Sequence, residues 1–231
     1  RRGTNSLEVK ILNRNRVFRY VNSQSETSMP DISAALGISG PTVLTIVKEL
    51  KDAGVVEEVG ELKSTGGRKA KAIAAVRDVR YAIGIDITAN HVGIVYTDLA
   101  KKALKHDRIR KTFSCEDNYF RELGGILGTF VKDNRIPEDR IEGVGIALPG
   151  IVDRQKNILT QSHILKIENV SLERWANAIP YPCELLNDAN AAAITEDVCC
   201  RKPENSMVYL SLSNSVGGAV VSAAEMKGND G

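Results

Sequence analysis

The residues best equipped for chemistry are Asn187 and Asp188, inside the run E-L-L-N-D-A-N-A-A-A-I-T-E from Glu184 to Glu196. A short apolar strand ends in this pair and an alanine-rich helix begins there. That puts an amide and a carboxylate at a strand's carboxyl end, where open α/β sheets present ligand-binding groups. A carboxylate accepts two hydroxyl hydrogen bonds, and an amide both donates and accepts, which suits a polyhydroxylated ligand. The alternative is structural: Asp188 or Asn190 simply caps the helix that follows.

A second group of polar residues lies near the front, in Ile38-Ser39-Gly40-Pro41-Thr42-Val43. Ser39 or Gly40 can cap a helix and Pro41 suits its first turn. The helix then buries Val43, Leu44, Ile46, Val47 and Leu50 and ends near Ala53, with Gly54 closing it. A shorter helix from Pro30 and Asp31 through Leu36 precedes it, stopped by Gly37. Two short helices joined by a three- to four-residue turn containing glycine form a helix-turn-helix pattern. Ser39, Thr42, Thr45 and Lys48 are then the candidates to face DNA.

The elements that must hold these groups follow from periodicity. Leu7 to about Asn22 reads as a first helix, with Arg14, Arg16 and Arg19 among its polar positions. Val55 to Gly60 and Lys69 to Val76 read as a hairpin whose tip is Ser64-Thr65-Gly66-Gly67-Arg68, a basic wing in which Gly67 and Arg68 are the DNA candidates. A generic three-helix cap with a solvated loop is the bland alternative. From Tyr81 the register changes. Tyr81–Ile87, His91–Thr97 and Leu104–Phe113 read as a meander, Tyr119–Asn134 as a helix, and Ile141–Ala147 as a strand entering Leu148-Pro149-Gly150. Leu172–Ala178 reads as a helix carrying the only tryptophan, Trp175. Ser206–Leu212 and Ala219–Ala224 read as strands around a turn, Ser213 to Gly218.

Composition supports the division. The 231 residues are 42% hydrophobic, enough for one small and one medium domain. Residues 1–80 carry 14 Lys/Arg against 9 Asp/Glu, and residues 81–231 carry 17 against 20. A basic front and a mildly acidic back suggest a nucleic-acid-binding head on an ordinary soluble domain. Cys115, Cys183, Cys199 and Cys200 form no C-x-x-C pair, which fits a reduced compartment. There is no long apolar run and no signal-peptide pattern, so a cytoplasmic location is expected. His91, His106 and His163 stand singly, as surface histidines do, and Lys101, Lys102 and Lys105 read as a solvated turn. No metal site is expected within the chain.

Three ordered motifs, Gly66-Gly67-Arg68 ending the wing, I-E-G-V-G-I-A-L-P-G-I-V-D from Ile141 to Asp153, and L-N-D-A-N-A-A-A from Leu186, give the chain a likeness. It resembles the ROK family of repressors and sugar kinases, in its xylose-repressor and N-acetylglucosamine-repressor type. The resemblance implies an α/β fold: a winged helix-turn-helix over residues 1–77, then an actin/hexokinase-like (ribonuclease-H-like) α/β domain over 78–231 whose second half is incomplete. It also implies that Asp188 matches the base of the family's kinases, and that Asn187 and Gly150 contact the sugar. The family's cysteine and histidine zinc site would lie beyond Gly231, so no cofactor is expected in this chain.

Departures from the kinase pattern matter as much. The kinases resemble D-x-G-x-T where this chain has Asp86-Ile87-Thr88-Ala89-Asn90. They resemble G-T-G-x-G-G-G where it has Ser213-Asn214-Ser215-Val216-Gly217-Gly218-Ala219. Side chains at Ser213, Ser215 and Ala219 crowd a phosphate or forbid positive φ. The expectation is therefore a sugar-responsive DNA-binding regulator, a repressor released from a double-stranded operator by a sugar, as a homodimer or higher homo-oligomer, and not an enzyme. The rivals are a ROK-type sugar kinase with an added DNA-binding head and a regulator whose back domain binds a partner protein.

Overall fold

The computed structural model describes residues 6–62, 70–200, 206–212 and 216–221. The chain divides into two compact units, Arg1–Tyr81 with Thr97–Lys102, and Ala82–Tyr96 with Ala103–Gly231. The first unit extends four residues past the expected boundary at 77. A 3-10 turn at Arg77–Val79 continues it, and the Leu99 N–H reaches the Arg77 carbonyl at 2.9 Å.

The first unit opens with α1 (Ser6–Ser23), α2 (Met29–Leu36) and α3 (Gly40–Asp52). Ser28 starts α2 reciprocally: its hydroxyl accepts the Asp31 N–H and donates to the Asp31 carboxylate at 2.6 Å. Gly37 ends it at φ 64°, a left-handed conformation in which its N–H bonds back to Ser33. Pro41 lies in the first turn of α3, where its missing N–H costs nothing. The wing follows as β1 (Val56–Glu61) antiparallel to β2 (Lys71–Ala75), and Thr27 adds a bridge to Ile73. Val17, Val21, Ile32, Val43, Ile46, Val47, Leu50, Val56 and Ile73 form the core. The expected wing tip, with Gly67 and Arg68, lies outside the described residues.

The second unit contains β3 (Tyr81–Ile87) and β4 (His91–Asp98), apart from Tyr81 and the last two residues of β4, then β5 (Ala103–Arg110), α4 (Asp117–Asp133) and β6 (Ile141–Leu148). There follow β7 (Ile151–Asp153), β8 (Ile158–Ser162), β9 (Ile167–Ser171), α5 (Glu173–Ala176), β10 (Cys183–Asn187), α6 (Asp188–Cys200), β11 (Met207–Leu212) and β12 (Val216–Val221). The central sheet runs β10-β6-β3-β4-β5, with β10 parallel to β6. Tyr119, Phe120, Leu123, Leu127 and Phe130 of α4 are buried, and Phe120 packs edge-on against Trp175 with ring centroids 5.2 Å apart.

Two features differ from the expectation. Strands β7, β8 and β9 form a separate antiparallel sheet where none was read. The last strand begins at Val216 instead of Ala219, so Gly217 and Gly218 are strand residues paired with Ser211 and Leu210. A Cβ on Gly217 would come 3.3 Å from the Ala189 Cβ, and one on Gly218 would come 3.0 Å from the Tyr209 carbonyl oxygen. These glycines permit close packing where a turn had been inferred. Among the described residues, no single helix is long and apolar enough to cross a membrane.

Candidate functional site

Parallel pairing of β10 with β6 places Asn187 opposite Leu148. The Asn187-Asp188 pair and the Pro149-Gly150 turn therefore leave the sheet side by side at the carboxyl ends of neighbouring strands. Gly150, Asn187 and Asp188 line one cavity of about 410 Å³, within the size range of small-molecule sites, roughly 300–1,000 Å³. The sequence predicted these three; the structure brings them together.

Asn187 caps α6, where the structural alternative drawn from the sequence had offered Asp188 or Asn190. Its Oδ1 accepts the Asn190 N–H at 3.0 Å. Its Nδ2 donates to the Gly150 carbonyl at 2.8 Å and to the Asp188 carboxylate at 3.1 Å. Both amide protons are thus committed inside the protein. Asp188 Oδ1 also accepts the Ala189 N–H at 2.8 Å. Among the described residues Oδ2 has no hydrogen-bond partner, which leaves it as the acceptor available to a ligand.

The opposite wall comes from the sheet the sequence did not reveal. Gln161, Ser162 and His163, at the end of β8 and beyond, line the cavity, and so do Ser211 and Gly217. Ser162 is buried; it donates to the Pro149 carbonyl at 2.5 Å and accepts the Leu165 N–H, fastening this wall to the Pro149-Gly150 turn. Gly150 cannot be replaced there. Its φ is 150°, and a Cβ would lie 2.5 Å from the Gln161 carbonyl oxygen. Motif reading had no signal for Gln161 or His163, because neither belongs to a recognisable pattern.

Asp188 also borders a second cavity with Asp86, His106 and Arg108 over the sheet face. Much of the Asp86 side chain is open to solvent, yet its carboxyl is pushed above its ordinary value of 3.8. Partial burial is the main cause, the negative charge of Asp188 adds to it, and Arg108 opposes it. Cys183, half-buried, donates to the Tyr181 carbonyl, and burial pushes its thiol up to about 11, so it is not a nucleophile at neutral pH. Among the described residues no group of three or more His, Cys, Asp and Glu side chains is placed to hold a metal ion.

In the first unit, Ser39, Thr42, Thr45 and Lys48 are all exposed on α3, while Val43, Ile46, Val47 and Leu50 are buried. Leu44 departs from the expectation: it was read as core and is 56% exposed. It lies about 110° around the helix from the centre of the buried stripe, too far to reach it. Of the acids on this helix, Glu49 is half-exposed and paired with Lys10 of α1 at 2.7 Å, and Asp52 is exposed in the last turn.

Comparison with known proteins agrees with this arrangement. A model of winged helix-turn-helix DNA-binding domains matches residues 12–57, and the ROK family model matches residues 82–231. The xylose repressor of Bacillus spizizenii is 26% identical over 218 residues, covering 92% of this chain and 56% of that protein. The DNA-binding transcriptional dual regulator NagC of Escherichia coli is 23% identical over 189 residues, covering 81% and 47%. The chain thus spans about half the length of the curated relatives it matches. Among solved structures, a ROK family transcriptional regulator homologous to E. coli MLC superposes with a TM-score of 0.72 at 20% identity, over 93% of this chain and 55% of that one. The ROK hexokinase of Thermus thermophilus superposes with a TM-score of 0.52 at 23% identity, over 62% and 47%. These likenesses concern the fold alone, the first over nearly the whole chain and the second over 62% of it; with the winged-helix model they describe a winged helix-turn-helix followed by a sugar-kinase-like α/β unit. With its family model matched over residues 82–231, well over half its length, the chain belongs to the ROK family.

Proposed function

We propose that this chain carries the operator-binding and effector-sensing parts of a sugar-responsive transcriptional regulator, a repressor released from DNA by a sugar. The observation that carries this is the Asp188 carboxylate, pinned through one oxygen at the edge of a cavity with the other oxygen free among the described residues, in a chain that also holds a winged helix-turn-helix. The names of the relatives, a xylose repressor and NagC, support it. In this reading α3 enters the major groove with Ser39, Thr42, Thr45 and Lys48 toward it, Gly67 and Arg68 of the wing reach the backbone or minor groove, and a homodimer reads a palindrome.

Phosphotransfer is not part of the proposal. Phosphoryl transfer rests on positioning and neutralising the phosphates, chiefly with free backbone N–H groups and cations. In the turn after β3 two of the amides, those of Thr88 and His91, are engaged within the turn. The His91 N–H is taken by the Thr88 hydroxyl at 3.0 Å and the Thr88 N–H by the His91 carbonyl at 2.9 Å. Ala89 and Asn90 occupy the remaining positions. The second altered loop, around Ser213 and Ser215, lies outside the described residues.

The test is operator affinity of the full-length protein, wild type and Asp188→Ala, across titrations of a sugar panel that includes xylose and N-acetylglucosamine. One sugar should weaken wild-type operator binding by about 5- to 150-fold, the usual range of allosteric coupling. Asp188→Ala should bind the operator normally and ignore the sugar. A mutant that responds like wild type would reduce Asp188 to a structural residue.

A further inference from the structure

The outward surface of α3 is less polar than its sequence suggests. Ser39 and Thr42 share a hydrogen bond between their hydroxyls at 2.8 Å, and Thr45 donates its hydroxyl proton to the Pro41 carbonyl at 3.1 Å. The Thr45 proton and one of the two Ser39–Thr42 hydroxyl protons are thus spent within the helix, and each threonine presents a methyl group to a partner besides its remaining hydroxyl capacity. Pro41 is exposed between them. Leu44 completes the surface: three residues from Pro41 and four from Lys48, it shares their side of the helix. It is 56% exposed, whereas the other large aliphatic residues of α3 are at most 6% exposed. An isolated surface leucine carries no message. This one lies between exposed Pro41, one turn before it, and exposed Lys48, one turn after it.

In the major groove a guanine edge offers two acceptors, which call for Arg or Lys, and an adenine edge calls for Asn or Gln. The outward face of α3 before Lys48 has none of these, only serine and threonine hydroxyls, which bond to either base and so discriminate little. The one feature of the groove that an aliphatic side chain recognises is the C5-methyl of thymine. We propose that Leu44 is a specificity-determining residue, which reads thymine by packing on that methyl, so that each operator half-site carries an A·T pair opposite it. Lys48 beside it holds a phosphate and contributes affinity without sequence preference. The inference rests on the DNA-binding role proposed above and deepens it.

The experiment begins with in vitro selection of random duplex DNA on the full-length protein. Each thymine of the enriched site is then replaced by deoxyuridine, which deletes the methyl and nothing else, and affinities are measured by fluorescence anisotropy. At one position of a half-site, a single replacement should weaken wild-type binding about fourfold, the worth of one buried methylene-sized group. Leu44→Ala should lose that sensitivity at that position alone, with an unchanged melting temperature, because the side chain lies outside the core, and an unchanged salt dependence, because the phosphate contacts remain. Leu44→Gln should move the preferred base there toward an adenine on the contacted strand. If the selected site binds tightly but no deoxyuridine effect depends on Leu44, the inference is overturned. If no duplex is enriched, the DNA-binding role fails and the inference with it.

Discussion

Replacing Gly150 by alanine should damage fold and site together, and the structure gives the size of the effect. The residue has φ 150°, a conformation L-residues rarely adopt, and the added Cβ would lie 2.5 Å from the Gln161 carbonyl oxygen, 2.8 Å from Leu159 Cδ1 and 3.0 Å from Ser162 Cβ. Backbone strain of this kind costs about 1–3 kcal/mol. Overpacking a filled interior costs about 1–3 kcal/mol more, and here the nearest atom is backbone, which cannot rotate aside. A loss of roughly 2–6 kcal/mol lowers the melting temperature by at least ~4 °C in a chain of this size. Thermal unfolding followed by circular dichroism reads that change. The Gly150 carbonyl also receives the Asn187 amide, so the shifted turn should release Asp188 and weaken the proposed sugar binding below the melting range. A Gly150→Ala protein that melts at the wild-type temperature would refute the strain argument and the turn geometry on which it rests.

Within α4, Gly128→Ala should stabilise by roughly 0.5–1 kcal/mol, since a Cβ there meets nothing and alanine is the better helix former. Gly124→Ala, four residues earlier, should destabilise, because its Cβ would overlap the Ala178 carbonyl; urea denaturation of the two variants should give opposite signs. Ser28→Ala removes the cap of α2 and should cost about 0.5–2 kcal/mol in the same assay. Asp86 has its pKa raised by folding, so its contribution favours the native state below the unfolded value and is lost as pH rises through the folded one. Asp86→Asn should therefore raise the melting temperature at neutral pH, with the gain vanishing below the ordinary carboxylate value of 3.8. A lower melting temperature at neutral pH would contradict that assignment.

The winged helix and the central sheet were legible because their signals are local and redundant. Gly37 in a left-handed cap, Pro41 in a first turn and a buried stripe from Val43 to Leu50 all point to one arrangement. The β7–β9 sheet gave no comparable signal. Its strands are three to five residues long, and β8 and β9 bury only Leu159, Ser162 and Val170 between them, so no alternation emerges from the sequence. Gly217-Gly218 misled for another reason. A glycine pair marks a turn or a close approach equally well, and only the position of Ala189 on α6 decides between them. At the site, Asn187 and Asp188 were recognisable as a pair, but their division of labour depended on which one faced the Asn190 N–H. Leu44 was assigned to the core because helical periodicity tolerates one position of error at the stripe's edge.

The triple engagement of the Asn187 side chain has a consequence for how such a protein can change its ligand. One carboxamide holds the start of α6, the Gly150 turn and the Asp188 carboxylate at once. A substitution there would be felt by all three, so the floor of the cavity offers evolution almost no neutral steps. The far wall carries no such obligation. His163 is exposed and Gln161 half-exposed, its side-chain amide donating to Glu168 at 3.3 Å, while Ser162 between them ties the wall to the Pro149-Gly150 turn. Diversification among relatives with different ligands should therefore concentrate at 161 and 163, with 187 and 188 held fixed, and an engineer altering the ligand of the proposed regulator would start from the same two positions.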